Sequence, residues 1–132
     1  MSETPELTDL QVAILRVLWE HGESTVQEIH AALHGERGLA LTTVATLLTR
    51  LERRGVVARR ADGRLHRYRA AVTEPQVRRS MVGGLAARLF GGDVTEMVTH
   101  LLGGEAVSAD DLERIKALVE RRERELREGN DG

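Results

Sequence analysis

Three segments near the start of the chain carry apolar residues at helical spacing, each bounded by typical helix signals. The first follows a capping box formed by Thr8 and Gln11, in which each side chain satisfies a backbone N–H of the other, and ends near Gly22. A second box, at residues 24–27, predicts a short helix that ends near residue 35. The third segment covers residues 42–54 and is followed by Gly55, a typical helix terminator. The pattern therefore predicts three consecutive helices.

A period-two pattern follows, interrupted by Asp62 and Gly63. Asp-Gly between two strand-like runs is a strong hairpin signal, because a type I′ turn needs positive φ at both central positions. A two-residue turn at Asp62-Gly63 would place Val57 opposite Tyr68 and Arg59 opposite His66. The first 72 residues are thus predicted to form three helices and a hairpin.

The remaining residues, 73–132, are predicted to be helical. One helix begins at Thr73 and runs to about residue 90, a short one covers about 94–102, and the last begins at Ser108. These helices carry more apolar residues than they need alone, and burial against a second copy of the chain is the simplest use for them. The candidate dimerisation residues are Met81, Leu85, Leu89, Leu101, Leu112, Ile115 and Val119.

Charge is distributed unevenly, although the net charge of the 132 residues is only −2. Residues 50–69 contain eight arginines and two acidic residues, a formal charge of +6, whereas residues 93–132 contain eleven acidic and six basic residues, a charge of −5. Such asymmetry suggests a polyanion-binding segment joined to another part. The sequence has three aromatic residues, too few for an aromatic-lined ligand pocket or for base stacking.

The absence of cysteine excludes disulfides, thiolate metal sites and cysteine nucleophiles. The polar start and the lack of a long apolar run predict a cytoplasmic protein without membrane insertion. No nucleophile elbow, phosphate-binding glycine loop or zinc-protease motif indicates an enzyme. His30 and His34 are spaced as two metal ligands on a helix, but no further ligand stands at a clear spacing. Two polar residues on the solvent side of a short helix explain them better, so we expect no metal and no cofactor.

The third helix is the segment that points to a function. Val44, Leu47, Leu48 and Leu51 cluster on one side of the helix. The opposite side holds threonine and arginine, which read base edges and phosphates in the major groove of DNA. The hairpin adds four arginines near its tip, within reach of phosphates or a narrow minor groove: Arg59, Arg60, Arg64 and Arg67. The candidate DNA-binding residues are Thr42, Thr43, Thr46, Arg50, Arg53, Arg59, Arg60 and Arg64.

The run from Leu41 to Val72 resembles the helix and wing of the BlaI/MecI-type penicillinase and methicillin-resistance repressors, and the opening residues, with Leu18-Trp19, resemble the first two helices of that family. The resemblance implies a mainly α fold with a small β-hairpin: a winged helix-turn-helix DNA-binding domain at residues 1–72 and a helical dimerisation domain at 73–132. It further implies a bacterial homodimeric repressor on a TACA/TGTA inverted repeat in double-stranded DNA. It assigns base contacts to Thr43 and Thr46, phosphate contact to Arg50, and wing contacts to Arg59, Arg60 and Arg64.

The sequence departs from the family pattern in three places. Thr42 and Ala45 stand where a lysine and an arginine are usual in the methicillin type, so the operator sequence is left open. Family members are inactivated through a membrane sensor-protease pathway by cleavage at an Asn-Phe bond, and here the corresponding stretch contains Thr99-His100. The inducing signal and any exchange of helices between subunits are left open too. The alternative to a repressor released by loss of the dimer is a winged-helix regulator that responds to a small ligand or a metal.

Overall fold

A computed structural model describes residues 6–131 of the chain, without the side chains of residues 34–37 and 131. Its elements, in chain order, are α1 (Asp9–His21), β1 (Ser24–Thr25), α2 (Val26–Arg37), α3 (Leu41–Arg53), β2 (Val57–Asp62), β3 (Leu65–Ala70), α4 (Glu74–Phe90), α5 (Val94–Leu102) and α6 (Ala109–Asp131). The predicted class, mainly helical with a small antiparallel sheet, is confirmed.

The first helix is capped as predicted. The Gln11 amide N–H donates to Thr8 Oγ1 at 3.2 Å, and the Thr8 N–H donates to Gln11 Oε1 at 3.0 Å. The helix ends at Gly22, whose φ of 79° favours glycine. Trp19 Nε1 donates to the carbonyl of Val72 at 2.9 Å, so α1 is joined to the chain just beyond the sheet.

The capping box predicted for the second helix at Ser24 and Gln27 is wrong by one residue. Glu28 and Thr25 form the box instead: the Glu28 N–H donates to Thr25 Oγ1 at 3.2 Å and the Thr25 N–H to Glu28 Oε1 at 2.9 Å. Ser24 and Thr25 are buried and make up β1, which pairs with β3. Because strand pairing fixes these residues as extended backbone, the helix starts one residue later than the local pattern indicates.

The core of the N-terminal unit comes mainly from the apolar sides of α1, α2 and α3, and Val56 is added by the connection between α3 and β2. Ile14, Leu15, Ile29, Leu48, Leu51, Val44 and Val56 are its largest fully buried side chains. Leu47, predicted to face inward, is partly buried against this cluster. Burial of each such side chain contributes about 1.5–3 kcal/mol, so α3 is held by its apolar side and its other side remains exposed.

The hairpin is confirmed, but its predicted register is wrong by two residues. In the three-stranded sheet of order β1-β3-β2, Val57 lies opposite Ala70, Arg59 opposite Tyr68, and Asp62 opposite Leu65. The turn is therefore Gly63-Arg64, with positive φ at Gly63 alone. That sign pattern is typical of a type II′ turn, which needs glycine only at its first central position. The shift of two residues leaves every side chain on its predicted face of the sheet.

The chain divides into two compact units, the first ending at Leu85 and the second beginning at Ala86. This division lies within α4, and the functional division proposed from the sequence, at residues 72 and 73, stays a prediction. Of the helices among residues 6–131, none has both the length and the apolar content that crossing a membrane requires.

Candidate nucleic-acid interface

The exposed side of α3 forms the centre of the candidate interface. Thr42, Thr43, Thr46 and Arg50, together with Leu47, line an open depression of about 300 Å³. Arg53 is also exposed, one turn further along the helix. The structure thus brings together the candidate residues of α3, on the side away from the core.

The Thr46 hydroxyl has a defined orientation. Thr46 Oγ1 donates to the carbonyl of Thr42 at 2.9 Å, one helical turn earlier. Because the proton is used in this bond, the oxygen presents acceptor lone pairs, and the methyl group remains available for apolar contact. Thr49 Oγ1 makes the same kind of bond to the Ala45 carbonyl at 3.1 Å, but Thr49 does not line the depression.

The arginines of the interface differ in how their guanidinium groups are occupied. With the described part of the chain, Arg50, Arg53 and Arg64 form no ion pair, so three charges are available to phosphates. Arg54, which belongs to the predicted basic side, donates through Nη2 to the carbonyl of Glu6 at 2.8 Å. Arg64 lies in the turn between β2 and β3 and so stands at the tip of the hairpin.

The wing arginines predicted together, Arg59, Arg60 and Arg64, are not brought together. Arg59 shares a face of the sheet with buried Val57, and its Nε lies 3.1 Å from Glu52 Oε2 on α3. Arg60, on the opposite face, contacts Glu23: Nε donates to both carboxylate oxygens at 2.9 Å and Nη2 lies 2.6 Å from Oε1.

The contact between Arg60 and Glu23 shifts the pKa of both side chains. The hydrogen bond from Arg60 lowers the pKa of the Glu23 carboxyl, and the same bond raises the pKa of Arg60. Both groups therefore stay charged across the neutral range, and Arg60 must exchange a carboxylate for a phosphate if it is to contact DNA.

Arg67 is one of the arginines that the sequence places near the hairpin tip, although it is not among the candidate DNA-binding residues. Its Nε lies 2.6 Å from Asp62 Oδ2, and its Nη1 lies 3.4 Å from Glu28 Oε1. The hydrogen bond to Asp62 raises the pKa of Arg67 and lowers the pKa of Asp62. The observed register explains the contact with Asp62, because it places Asp62 and Arg67 on one face, two positions apart along the ladder.

The candidate dimerisation residues fall into three environments. Met81 is partly buried against the core of the N-terminal unit, so its own chain accounts for much of its burial. Leu85 and Leu89 are exposed on α4. In the second unit Leu101 is exposed, and an apolar groove of about 500 Å³ between α5 and α6 is lined by Val98, Leu102, Leu112, Ile115 and Val119.

The metal hypothesis finds no support in the geometry. His30 Nε2 lies 2.7 Å from the carbonyl oxygen of Leu39, a structural contact between α2 and the segment before α3. The side chain of His34 lies outside the described residues. Among the described side chains, no three of histidine, aspartate or glutamate are grouped as metal ligands.

Comparison with known proteins gives consistent matches over most of the chain. The sequence profile of the penicillinase repressor family matches residues 7–121. The chain is 35% identical over 123 residues to the transcriptional regulator BlaI of Mycobacterium tuberculosis, covering 91% of this chain and 88% of that protein. It is 21% identical over 120 residues to the penicillinase repressor of Bacillus licheniformis, covering 91% and 94%.

Among solved structures, the solution structure of the Bacillus licheniformis BlaI monomeric form in complex with the blaP half-operator is similar in fold. The TM-score is 0.50 at 24% identity, and the match covers 58% of this chain and 93% of that chain. The fold predicted from the sequence, with a winged helix in its N-terminal part, is thereby supported.

Proposed function

Because the chain belongs to the penicillinase repressor family, whose members are DNA-binding transcriptional repressors and not enzymes, we propose that it represses transcription as a homodimer on an inverted-repeat operator in double-stranded DNA. The observation that carries the proposal is the exposed threonine and arginine side of α3, which is free of ion pairs within the described part of the chain. A helix of this kind fits the major groove, and a two-fold dimer matches a two-fold operator. Such a protein acts where the bacterial chromosome lies, in the cytoplasm.

Sequence recognition is assigned to Thr42, Thr43 and Thr46. The Thr46 oxygen, whose proton is donated to the Thr42 carbonyl, is suited to accept from the amino group of adenine or cytosine. Its methyl group fits against the methyl group of thymine. A wrong base pair in a site typically costs about 1–3 kcal/mol, so contacts to several base pairs together select an operator from competing DNA.

Affinity is assigned mainly to phosphate contacts by Arg50, Arg53 and Arg64, whose guanidinium groups have no carboxylate partner among the side chains that the structure describes. Arg59 and Arg60, which lie on opposite faces of the sheet, contribute less because each must first leave Glu52 or Glu23. Phosphate contacts release counterions, so the affinity should fall steeply with salt.

Dimerisation is assigned to the helices of the C-terminal part. The apolar groove between α5 and α6, with Leu112 and Val119 exposed at its border, would be covered by a second copy. A bound dimer would exclude polymerase from the promoter, and loss of the dimer would release the operator. A membrane sensor-protease pathway is the signal that the family suggests, acting near Thr99-His100 in α5.

Fluorescence anisotropy would test this function with a duplex that carries a TACA/TGTA inverted repeat and with a scrambled duplex, across a salt series. We expect binding to the repeat to be tighter by about a thousandfold or more, the usual margin for specific recognition. Thr46→Val removes the acceptor oxygen and keeps the shape, and should reduce that margin by about tenfold.

Thr49→Val is the matched control, because Thr49 makes the same hydrogen bond to the preceding turn outside the depression. Thr49→Val should leave the ratio of the affinities for the repeat and for the scrambled duplex unchanged. Equal affinity of the wild-type protein for both duplexes would contradict the proposed operator, and absence of binding to either at low salt would contradict DNA binding itself.

A further inference from the structure

The outward face of the sheet carries a compact group of five charged side chains, with Arg67 at its centre. Arg60 and Arg67 lie directly opposite each other on β2 and β3, and Thr25 of β1 lies opposite Arg67 on the other side. Two like charges in directly opposed positions repel each other. The carboxylates of Glu23, Glu28 and Asp62 offset that repulsion through their contacts with the two arginines.

We propose that Arg67 is a positioning residue for DNA binding, which ties the tip of the wing to the start of α2 without contacting DNA itself. The inference rests on the proposed function, because it assigns a further residue to the same interface.

The contacts of Arg67 reach two separate elements. Its Nε donates to Oδ2 of Asp62, the last residue of β2 before the turn, at 2.6 Å. Its Nη1 donates to Oε1 of Glu28, in the first turn of α2, at 3.4 Å. One guanidinium group thus connects the strand end at the wing tip with the helix that packs against α3.

Arg67 contacts α2 at Glu28 Oε1, an oxygen that also accepts a second hydrogen bond. Glu28 Oε1 also accepts the hydrogen bond from the Thr25 N–H that closes the capping box of α2. The hydrogen bonds from Thr25 and the charge of Arg67 together lower the pKa of Glu28. Both carboxylates that hold Arg67 therefore remain ionised at neutral pH, and the connection persists under the conditions of DNA binding.

Exposure separates Arg67 from the other two wing arginines that form ion pairs, Arg59 and Arg60. Its side chain is 30% exposed, against 44% for Arg59 and 54% for Arg60. A phosphate contact would require Arg67 to leave two carboxylates, whereas Arg64 at the turn has none to leave among the described residues. Arg67 is thus placed to hold the hairpin in one orientation while Arg64 meets the DNA.

The salt dependence of DNA binding distinguishes positioning from contact. Arg67→Gln should weaken binding to the TACA/TGTA duplex about three- to fivefold, in keeping with the loss of two partly exposed ion pairs, and leave the slope of log K against log salt unchanged. Arg64→Gln should reduce that slope by about 0.9, the value for one lost phosphate contact. Arg67→Lys keeps the charge and should restore part of the affinity. A slope reduced by about 0.9 in Arg67→Gln, or an unchanged affinity, would overturn the proposal.

Amide hydrogen exchange of the free protein tests, in the absence of DNA, whether Arg67 links the tip of the hairpin to α2. Arg67→Gln should speed exchange in the turn at residues 62–65 by about fivefold, because local opening no longer has to break the ion pairs. Arg69→Gln is the matched control: Arg69 lies on the same face of the same strand and forms no ion pair with the described residues.

The two measurements separate the two proposals. If wild-type protein fails to bind either duplex, the proposed function is wrong, and the exchange experiment still decides whether Arg67 ties the wing to α2. If wild-type protein binds the repeat but exchange in Arg67→Gln matches that of Arg69→Gln, the positioning role is wrong and the proposed function stands.

Discussion

At the scale of single residues, Glu23 competes with DNA for Arg60. The Glu23 carboxylate receives three short contacts from the Arg60 guanidinium group, and the Arg60 side chain is still 54% exposed. An exposed ion pair of this kind contributes little to stability, so its main consequence is to occupy a charge that could otherwise meet a phosphate.

We therefore expect Glu23→Gln to strengthen DNA binding. The released Arg60 should add one phosphate contact, so the salt slope should become steeper by about 0.9 and the affinity at low salt should rise. Glu20→Gln is the control, because it removes the same charge from an exposed residue of α1 that forms no ion pair with the described residues. A slope that is the same in both variants would show that Arg60 stays away from DNA even when it is released.

The exposed side of α3 could be predicted from its sequence, whereas the carboxylate partners of the wing arginines could not. Helical periodicity alone assigns Thr46 and Arg50 to one side and Leu48 to the other, because burial of an apolar stripe fixes the rotation of a helix. The pairing of Arg60 with Glu23 depends on a strand of only two residues, which has no periodicity of its own. The register of that strand is set by tertiary contact, beyond the reach of a local pattern.

At the scale of elements, the start of α2 is fixed jointly by the sheet and by its capping box. Thr25→Ala removes the hydroxyl that accepts from the Glu28 N–H, and should lower the free energy of unfolding by about 1 kcal/mol. Urea unfolding can be followed through the fluorescence of Trp19, the single tryptophan of the chain.

Gln27→Ala gives the comparison for this prediction. Gln27 is exposed, and the sequence pattern assigned it to a capping box that the structure places at Thr25 and Glu28 instead. Its replacement should change the free energy of unfolding by less than about 0.5 kcal/mol. A loss in Gln27→Ala equal to that in Thr25→Ala would mean that the helix starts where the sequence pattern put it.

The residues of the hairpin determine where its turn lies, but they do not determine its register. Asp62-Gly63 identified the turn region correctly, because glycine supplies the positive φ that a tight turn requires. The local signal did not decide which two residues form the turn. With Asp62 inside the ladder, its carboxylate can contact Arg67, and buried Tyr68 lies between Arg59 and Ser24. Because Ser24 and Tyr68 are far apart in the sequence, tertiary pairing contributes to the choice of register.

At the scale of the whole molecule, affinity for an inverted repeat depends on the second copy of the chain. One recognition helix reads half a site, and joining two such helices raises the effective concentration of the second at its half-site. The apolar groove between α5 and α6 is the surface we assign to this joining, and Val119 at its border is 53% exposed.

Val119→Glu should therefore produce a monomer with weak operator binding. A carboxylate buried in an apolar interface is unfavourable, so sedimentation equilibrium should show dissociation at concentrations where the wild-type protein is dimeric. Binding to the TACA/TGTA duplex should fall by about a hundredfold, since the linked second half-site is lost.

Leu118→Glu provides a matched control for this change. Leu118 is the neighbouring residue of α6 and is 55% exposed, but it does not line the groove. Because it receives the same charge at nearly the same exposure, it should remain dimeric and bind as the wild type does. If Val119→Glu also stays dimeric, the groove is not the dimer interface. If it becomes a monomer that binds the repeat as tightly as the wild type, release of the operator cannot depend on loss of the dimer.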